Sequence, residues 1–179
     1  MKKKSRLVWL IVPIVLLFAA AVSLFAVKSA FRRPYRDTVE NFTLDRNLVY
    51  AVMKSESGFR EDALSRAGAV GLMQIKPSTA EFICQRDDIP FDAEKLSQGE
   101  YNTELGCRYL LYLLERFPVC ETAVAAYNAG EGTVSGWLKN AEYSADGRTL
   151  KRIPYPETER YVKKVIKFRK IYSFFDRKT

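Results

Sequence analysis

Charge-free and charged stretches divide this chain before any motif is considered. From Leu7 to Val27 no charged side chain occurs, and Pro13 and Ser23 alone interrupt an otherwise apolar run. At about 1.5 Å per residue such a run spans a hydrocarbon core of roughly 30 Å, which predicts a transmembrane helix. Beyond it the apolar positions recur at helical spacing. Asp45 suits the cap of a helix running toward Ser57, with Leu48 and Val52 on its inner face. A second helix opens at Pro77, because proline fits a first turn. A third runs from Asn102 to Phe117 with Leu110, Leu113, Leu114 and Phe117 as its stripe, and Pro118 stops it. A fourth covers Thr122 to Asn128 and closes at Gly130, a short one follows through Trp137, and the last runs from Glu157 to Phe174. Alternating runs are scarce, leaving at most a small hairpin between Tyr143 and Ile153 around Asp146-Gly147. The predicted fold class is mainly α, one domain behind an N-terminal transmembrane helix. The expected divisions are a basic tail 1–6, an anchor 7–27, a basic linker 28–42 and a helical domain 43–175.

Charge changes this picture once it is located. The chain has 179 residues and a formal charge of +8. Lys2, Lys3, Lys4, Arg6, Lys28, Arg32, Arg33 and Arg36 precede the first acid and account for all of it. The helical region is therefore formally neutral, and a basic groove for nucleic acid is not expected. Four cations flank each end of the apolar run, so the positive-inside rule does not orient it. Ala21-Val22-Ser23 also resembles a signal-peptidase site, but the apolar stretch continues past it, which favours an uncleaved anchor. Cys84, Cys107 and Cys120 match no metal spacing and read as small apolar residues rather than a disulfide framework.

The chain contains no histidine. This excludes Ser/His/Asp and Cys/His nucleophiles and the usual His-rich catalytic zinc site. No cofactor or metal is expected. A carboxylic acid in an apolar cleft remains available for proton transfer, and Glu56 in Glu56-Ser57-Gly58-Phe59 is the candidate. Glu61 and Asp62 are rival acids, read as surface groups on the loop that follows.

Four motifs occur in register: Glu56-Ser57-Gly58-Phe59 with Ser65, Gly71-Leu72-Met73-Gln74-Ile75 with Pro77, Ala126-Tyr127-Asn128-Ala129-Gly130, and Ile153-Pro154-Tyr155-Pro156-Glu157-Thr158 with Tyr161-Val162. Together they resemble the soluble lytic transglycosylase catalytic domain, a lysozyme-like fold related to goose-type lysozyme. The resemblance implies cleavage of the β-1,4 bond between N-acetylmuramic acid and N-acetylglucosamine in peptidoglycan, with a 1,6-anhydromuramoyl product. It also implies that Glu56 acts as acid and then as base, while the C6 hydroxyl attacks in place of water. Ser57, Ser65, Met73, Gln74, Tyr127, Asn128, Glu157 and Tyr161 are the implied substrate-side residues. Among them Tyr127 is expected to orient Glu56 or the C6 hydroxyl, Gln74 to bond an acetamido or hydroxyl group, and Asn128 to brace its loop. For Met73 and Tyr161, core packing is as natural as sugar contact. Lys76 stands where the family often has an apolar residue, placing a positive charge at the cleft edge.

The implied setting is a single-pass membrane protein with its N-terminus in the cytoplasm and its domain on the wall side. Its expected partners are glycan strands and proteins of wall growth, division or a surface machine. Two alternatives stand beside this one: a hydrolytic muramidase, which would need Glu61 or Asp62 to position water, and a non-catalytic wall-binding scaffold.

Overall fold

The computed structural model describes residues 2–176, with side chains for 12–27 and 29–176. It divides into two units, Met1–Arg33 and Pro34–Thr179.

The first unit is one helix, α1 (Lys2–Ala30), which carries Pro13 inside it. Its apolar side chains within 12–27 are exposed, Leu17 and Phe18 each at 71%. No helix among the described residues is long and apolar enough to cross a membrane. The expected anchor 7–27 begins on residues 7–11, whose side chains lie outside the described set, as do those of the tail 1–6.

The second unit is built from seven α-helices among the described residues: α2 (Arg36–Glu40), α3 (Arg46–Glu56), α4 (Pro77–Arg86), α5 (Gly99–Arg116), α6 (Cys120–Ala129), α7 (Glu131–Leu138) and α8 (Pro156–Asp176), with a 3₁₀ turn at Glu94–Ser97. Local chemistry sets most of these limits. The Asp45 carboxylate accepts the Asn47 N–H at 2.9 Å and caps α3. Pro77 opens α4. Gly130, at φ 90°, turns the chain between α6 and α7, a conformation side chains resist. Helix α5 begins three residues before the expected Asn102, because the 3₁₀ turn delivers the chain into it. Helix α2 falls within the stretch expected as linker. It is ordered by tertiary contact, with Val39 buried and the helix packed on α5.

The core lies where α3 packs along α8, with α6 against both α5 and α8. Val49, Val52 and Met53 of α3 are buried, as are Tyr161, Val165 and Tyr172 of α8. Cys84 and Cys107 are buried free thiols and Cys120 is partly exposed and free. The expected hairpin reduces to one bridge, Ser144 to Leu150, because Asp146 closes a tight turn by accepting the Arg148 and Thr149 amides.

Candidate active site

Glu56 is the last residue of α3, and the following loop returns beside it. Residues 63–75 form the loop's only ordered pairing, two bridges, Leu64 to Val70 and Val70 to Ile75. Val70 and Ile75 exchange both backbone hydrogen bonds at 3.0 Å, making Gly71-Leu72-Met73-Gln74 the turn of a minimal hairpin. Three helices pin that turn. From the end of α3, the Ser57 hydroxyl donates to the Leu72 carbonyl at 2.9 Å. From α5, Asn102 accepts the Met73 N–H at 2.8 Å and donates to the Val70 carbonyl at 2.9 Å and the Leu96 carbonyl at 2.9 Å. From α6, the Tyr127 hydroxyl donates to the Met73 carbonyl at 2.9 Å. Gly71 is required twice: its φ is +79°, and a Cβ there would stand 2.6 Å from the Asn102 side chain.

The pinned turn forms one wall of a cleft of about 390 Å³. Glu56, Ser65, Gln74, Lys76, Tyr127, Asn128 and Glu157 line it, with Tyr109 and small residues completing the surface. Glu56 is half-buried, with part of its surface turned to the cleft. The Tyr161 hydroxyl donates to its Oε1 at 2.6 Å. Burial pushes the Glu56 carboxyl up to about 7, and the Tyr161 hydrogen bond and the Lys164 ammonium act in the opposite direction without cancelling it. Lys164 is held by donating to the Ser55 carbonyl at 2.8 Å. Tyr127 and Tyr161 are raised well above the usual tyrosine value by burial and by the neighbouring Glu56, and burial pushes Tyr109 up to about 12. All three phenols therefore stay neutral near pH 7. The site thus has one acid poised to hold a proton at neutral pH beside neutral hydroxyl donors.

Several expected roles change hands. Tyr161 rather than Tyr127 hydrogen-bonds Glu56, since α8 lies along α3, while the Tyr127 hydroxyl is given to the hairpin turn. Ser57 is buried and bonded to backbone, including the Arg60 N–H it accepts at 3.1 Å, so its hydroxyl does not face the cleft. Met73 is fully buried against Gly106 of α5, which makes it core. The Gln74 amide donates to the Ala63 and Gly71 carbonyls, both at 3.0 Å, and so braces the loop; its Nε2 is not free for a ligand. Asn128 accepts the Thr158 hydroxyl at 2.8 Å, joining α6 to the start of α8. Ser65 keeps its place on the cleft wall and accepts the Ala69 N–H at 3.0 Å. Glu157, in the first turn of α8, lines the cleft and is exposed. Lys76 is the cation among the described lining residues. Glu61 and Asp62 are exposed and do not line the cleft; Glu61 accepts the Tyr35 hydroxyl at 2.8 Å. Tyr109 and Asn102 escaped the sequence reading. Both lie on the helical face shared with Leu105 and Gly106, which is the signal that could have found them.

Fold and site together define a lysozyme-like helical domain with a single elevated glutamate in an open cleft. The family follows from comparison. The model of the transglycosylase SLT domain matches residues 34–149, and the chain belongs to that family. It is 32% identical over 157 residues to the soluble lytic murein transglycosylase of Escherichia coli strain K12, covering 83% of this chain and 24% of that one. It is 29% identical over 160 residues to membrane-bound lytic murein transglycosylase C of Actinobacillus pleuropneumoniae, covering 76% and 44%. Among solved structures it resembles an inactive glutamate-to-glutamine mutant of lytic transglycosylase Slt from Pseudomonas aeruginosa, with TM-score 0.69, 33% identity and coverage of 79% and 24%. The chain spans about a quarter of the length of the soluble relatives.

Proposed function

We propose that this chain is a peptidoglycan lytic transglycosylase that cleaves the β-1,4 bond between N-acetylmuramic acid and N-acetylglucosamine without water. The observation that carries this is Glu56, a carboxyl raised to about 7 by burial at the floor of an open cleft. Protonated, it donates to the departing glycosidic oxygen, and the N-acetyl group of the muramoyl residue supports the positive charge at C1. The resulting carboxylate then takes the C6 hydroxyl proton as that oxygen bonds to C1, closing the 1,6-anhydro ring and restoring the acid. The attack is intramolecular, so it gains from proximity. Tyr161 holds the Glu56 carboxyl in one orientation throughout. The glutamate-to-glutamine change that accompanies inactivity in the Pseudomonas aeruginosa relative accords with one indispensable acid.

Hydrolysis would need a second group to activate water. Glu61 and Asp62 lie off the cleft, and Glu157 is exposed on its rim, which favours the non-hydrolytic route. Mass spectrometry of digested peptidoglycan tests it: anhydro ends are expected, and reducing muramic ends would refute it. Glu56→Gln should abolish turnover while binding persists; undiminished turnover would exclude Glu56 as the acid.

We also propose that residues 7–27 anchor the protein by a single pass, with its N-terminus cytoplasmic and residues 34–179 on the wall side. The apolar run supports this, and so does the resemblance to a membrane-bound relative. Such a tether suits local opening of the wall alongside growth, division or a surface machine. Extraction by carbonate rather than detergent would argue against it.

A further inference from the structure

Apart from the cleft, the fold draws cations from three separate segments to one place. Arg116 from the last turn of α5, Lys139 at the end of α7 and Arg148 from the Asp146-Gly147 turn surround a pocket of about 470 Å³. Phe117, Pro118 and Leu138 give it an apolar floor. Arg116 is paired with Glu131 at 3.0 Å, but Lys139 and Arg148 make no ion pair among the described residues. Asp146 lies nearby, with its carboxylate committed to the turn amides of Arg148 and Thr149. The carbonyl end of α7 offsets part of the positive potential at Lys139. The ionised Asp146 carboxylate offsets part of that at Arg148. Among the described residues Arg86 and Arg152 are ion-paired, whereas Arg66, Lys76 and Lys170 are not; what marks this place is that two cations without an ion pair converge on one pocket with an apolar floor.

Two helices give the axial separation of residues that line the pocket and residues that line the cleft. On α5, Tyr109 lines the cleft and Arg116 the pocket; seven residues at about 1.5 Å each separate them by ~10 Å. On α7, Gly130 and Leu138 give a similar ~12 Å. An extended peptide of four residues reaches ~13 Å. The stem peptide of muramic acid has about that length and presents carboxylates among small apolar side chains.

We infer that this pocket binds the carboxylates of a stem peptide carried by a glycan strand lying in the cleft, an inference that rests on the peptidoglycan function proposed above. The full chain carrying Glu56→Gln, which binds without turnover, provides the assay. Its sedimentation with insoluble peptidoglycan is compared with that on the same material after an amidase has removed the stems. Adding Lys139→Gln and Arg148→Gln should weaken binding to intact material about tenfold, the scale of two partly exposed ion pairs. Binding to stem-free strands should not change, and high salt should erase the difference. Lys139→Arg should bind as the parent does, and equal melting temperatures exclude misfolding. Equal loss on both materials, or no loss, would overturn the inference. So would a loss that vanishes when phosphate polymers are stripped from the wall, since the pocket would then be reading phosphate. Product analysis of the wild type is independent: absence of anhydro ends with the stem-dependent difference intact would sink the proposed reaction and leave the pocket standing.

Discussion

Replacing Glu56 by glutamine should stabilise the protein, and increasingly so as pH rises. The folded chain holds the Glu56 proton up to about 7, whereas the ordinary value is 4.5. Between these limits the unfolded chain has released the proton and the folded chain has not, so folded protein binds more protons and loses stability as pH rises. At about 1.4 kcal/mol per pH unit the cost accumulates to about 3 kcal/mol and levels off above pH 7. Glutamine is nearly isosteric, carries no proton to lose, and its oxygen can still accept the Tyr161 hydroxyl. The melting temperatures of wild type and Glu56→Gln should therefore be close at pH 4 and diverge to ~10 °C at pH 8, at ~2–4 °C per kcal/mol for a domain of this size. Calorimetry across that range reads the gap directly. A gap independent of pH would mean that Glu56 is an ordinary solvated carboxylate, and the case for it as a neutral-pH acid would collapse.

Tyr161→Phe removes a hydrogen bond that favours the ionised carboxylate, so the alkaline limb of the rate profile should move up by about one pH unit, with a lower maximal rate; a limb that stays put would detach Tyr161 from Glu56. Asn102→Ala strips three backbone groups of their partner and should cost about 3 kcal/mol in urea unfolding. A loss under 1 kcal/mol would show that the hairpin turn holds without it. Gly106→Ala would place a Cβ 2.2 Å from the Met73 sulfur and should destabilise by about 1–3 kcal/mol. Met73→Ala in the same chain should relieve part of that cost, and strictly additive losses would contradict the contact.

What the sequence disclosed was mostly local. Asp45, Pro77, Pro118 and Gly130 act within a turn or two of themselves, so the starts of α3 and α4, the end of α5 and the junction of α6 with α7 could be read from them. Helix α2 and the 3₁₀ turn at 94–97 could not, because each is too short to show a period and is ordered by α5. At the site, Glu56 was legible through its neighbouring motifs, while the partners of the other side chains were not. That the Tyr161 hydroxyl meets Glu56 and the Tyr127 hydroxyl meets the Met73 carbonyl was not legible, because these contacts join elements 105 and 54 residues apart. Gln74 and Ser57 look like ligand-binding groups in a string of letters. In space, the backbone of a four-residue turn has already engaged them.

That 105-residue span between Glu56 and Tyr161 has a consequence for a shortened chain. Helix α8 follows the rest of the domain in the chain, and it supplies both the cover over α3 and the hydroxyl on the acid. A chain cut short at Tyr155 carries every cleft motif up to Asn128 but lacks the helix packed along α3, so Glu56 should be more exposed there and its carboxyl should fall back toward the ordinary glutamate value. On the proposed function, competence to transfer a proton would thus arrive with α8, and a copy lacking it should be inert. Titration of a chain ending at residue 155 would check this, and an acid still elevated there would contradict it.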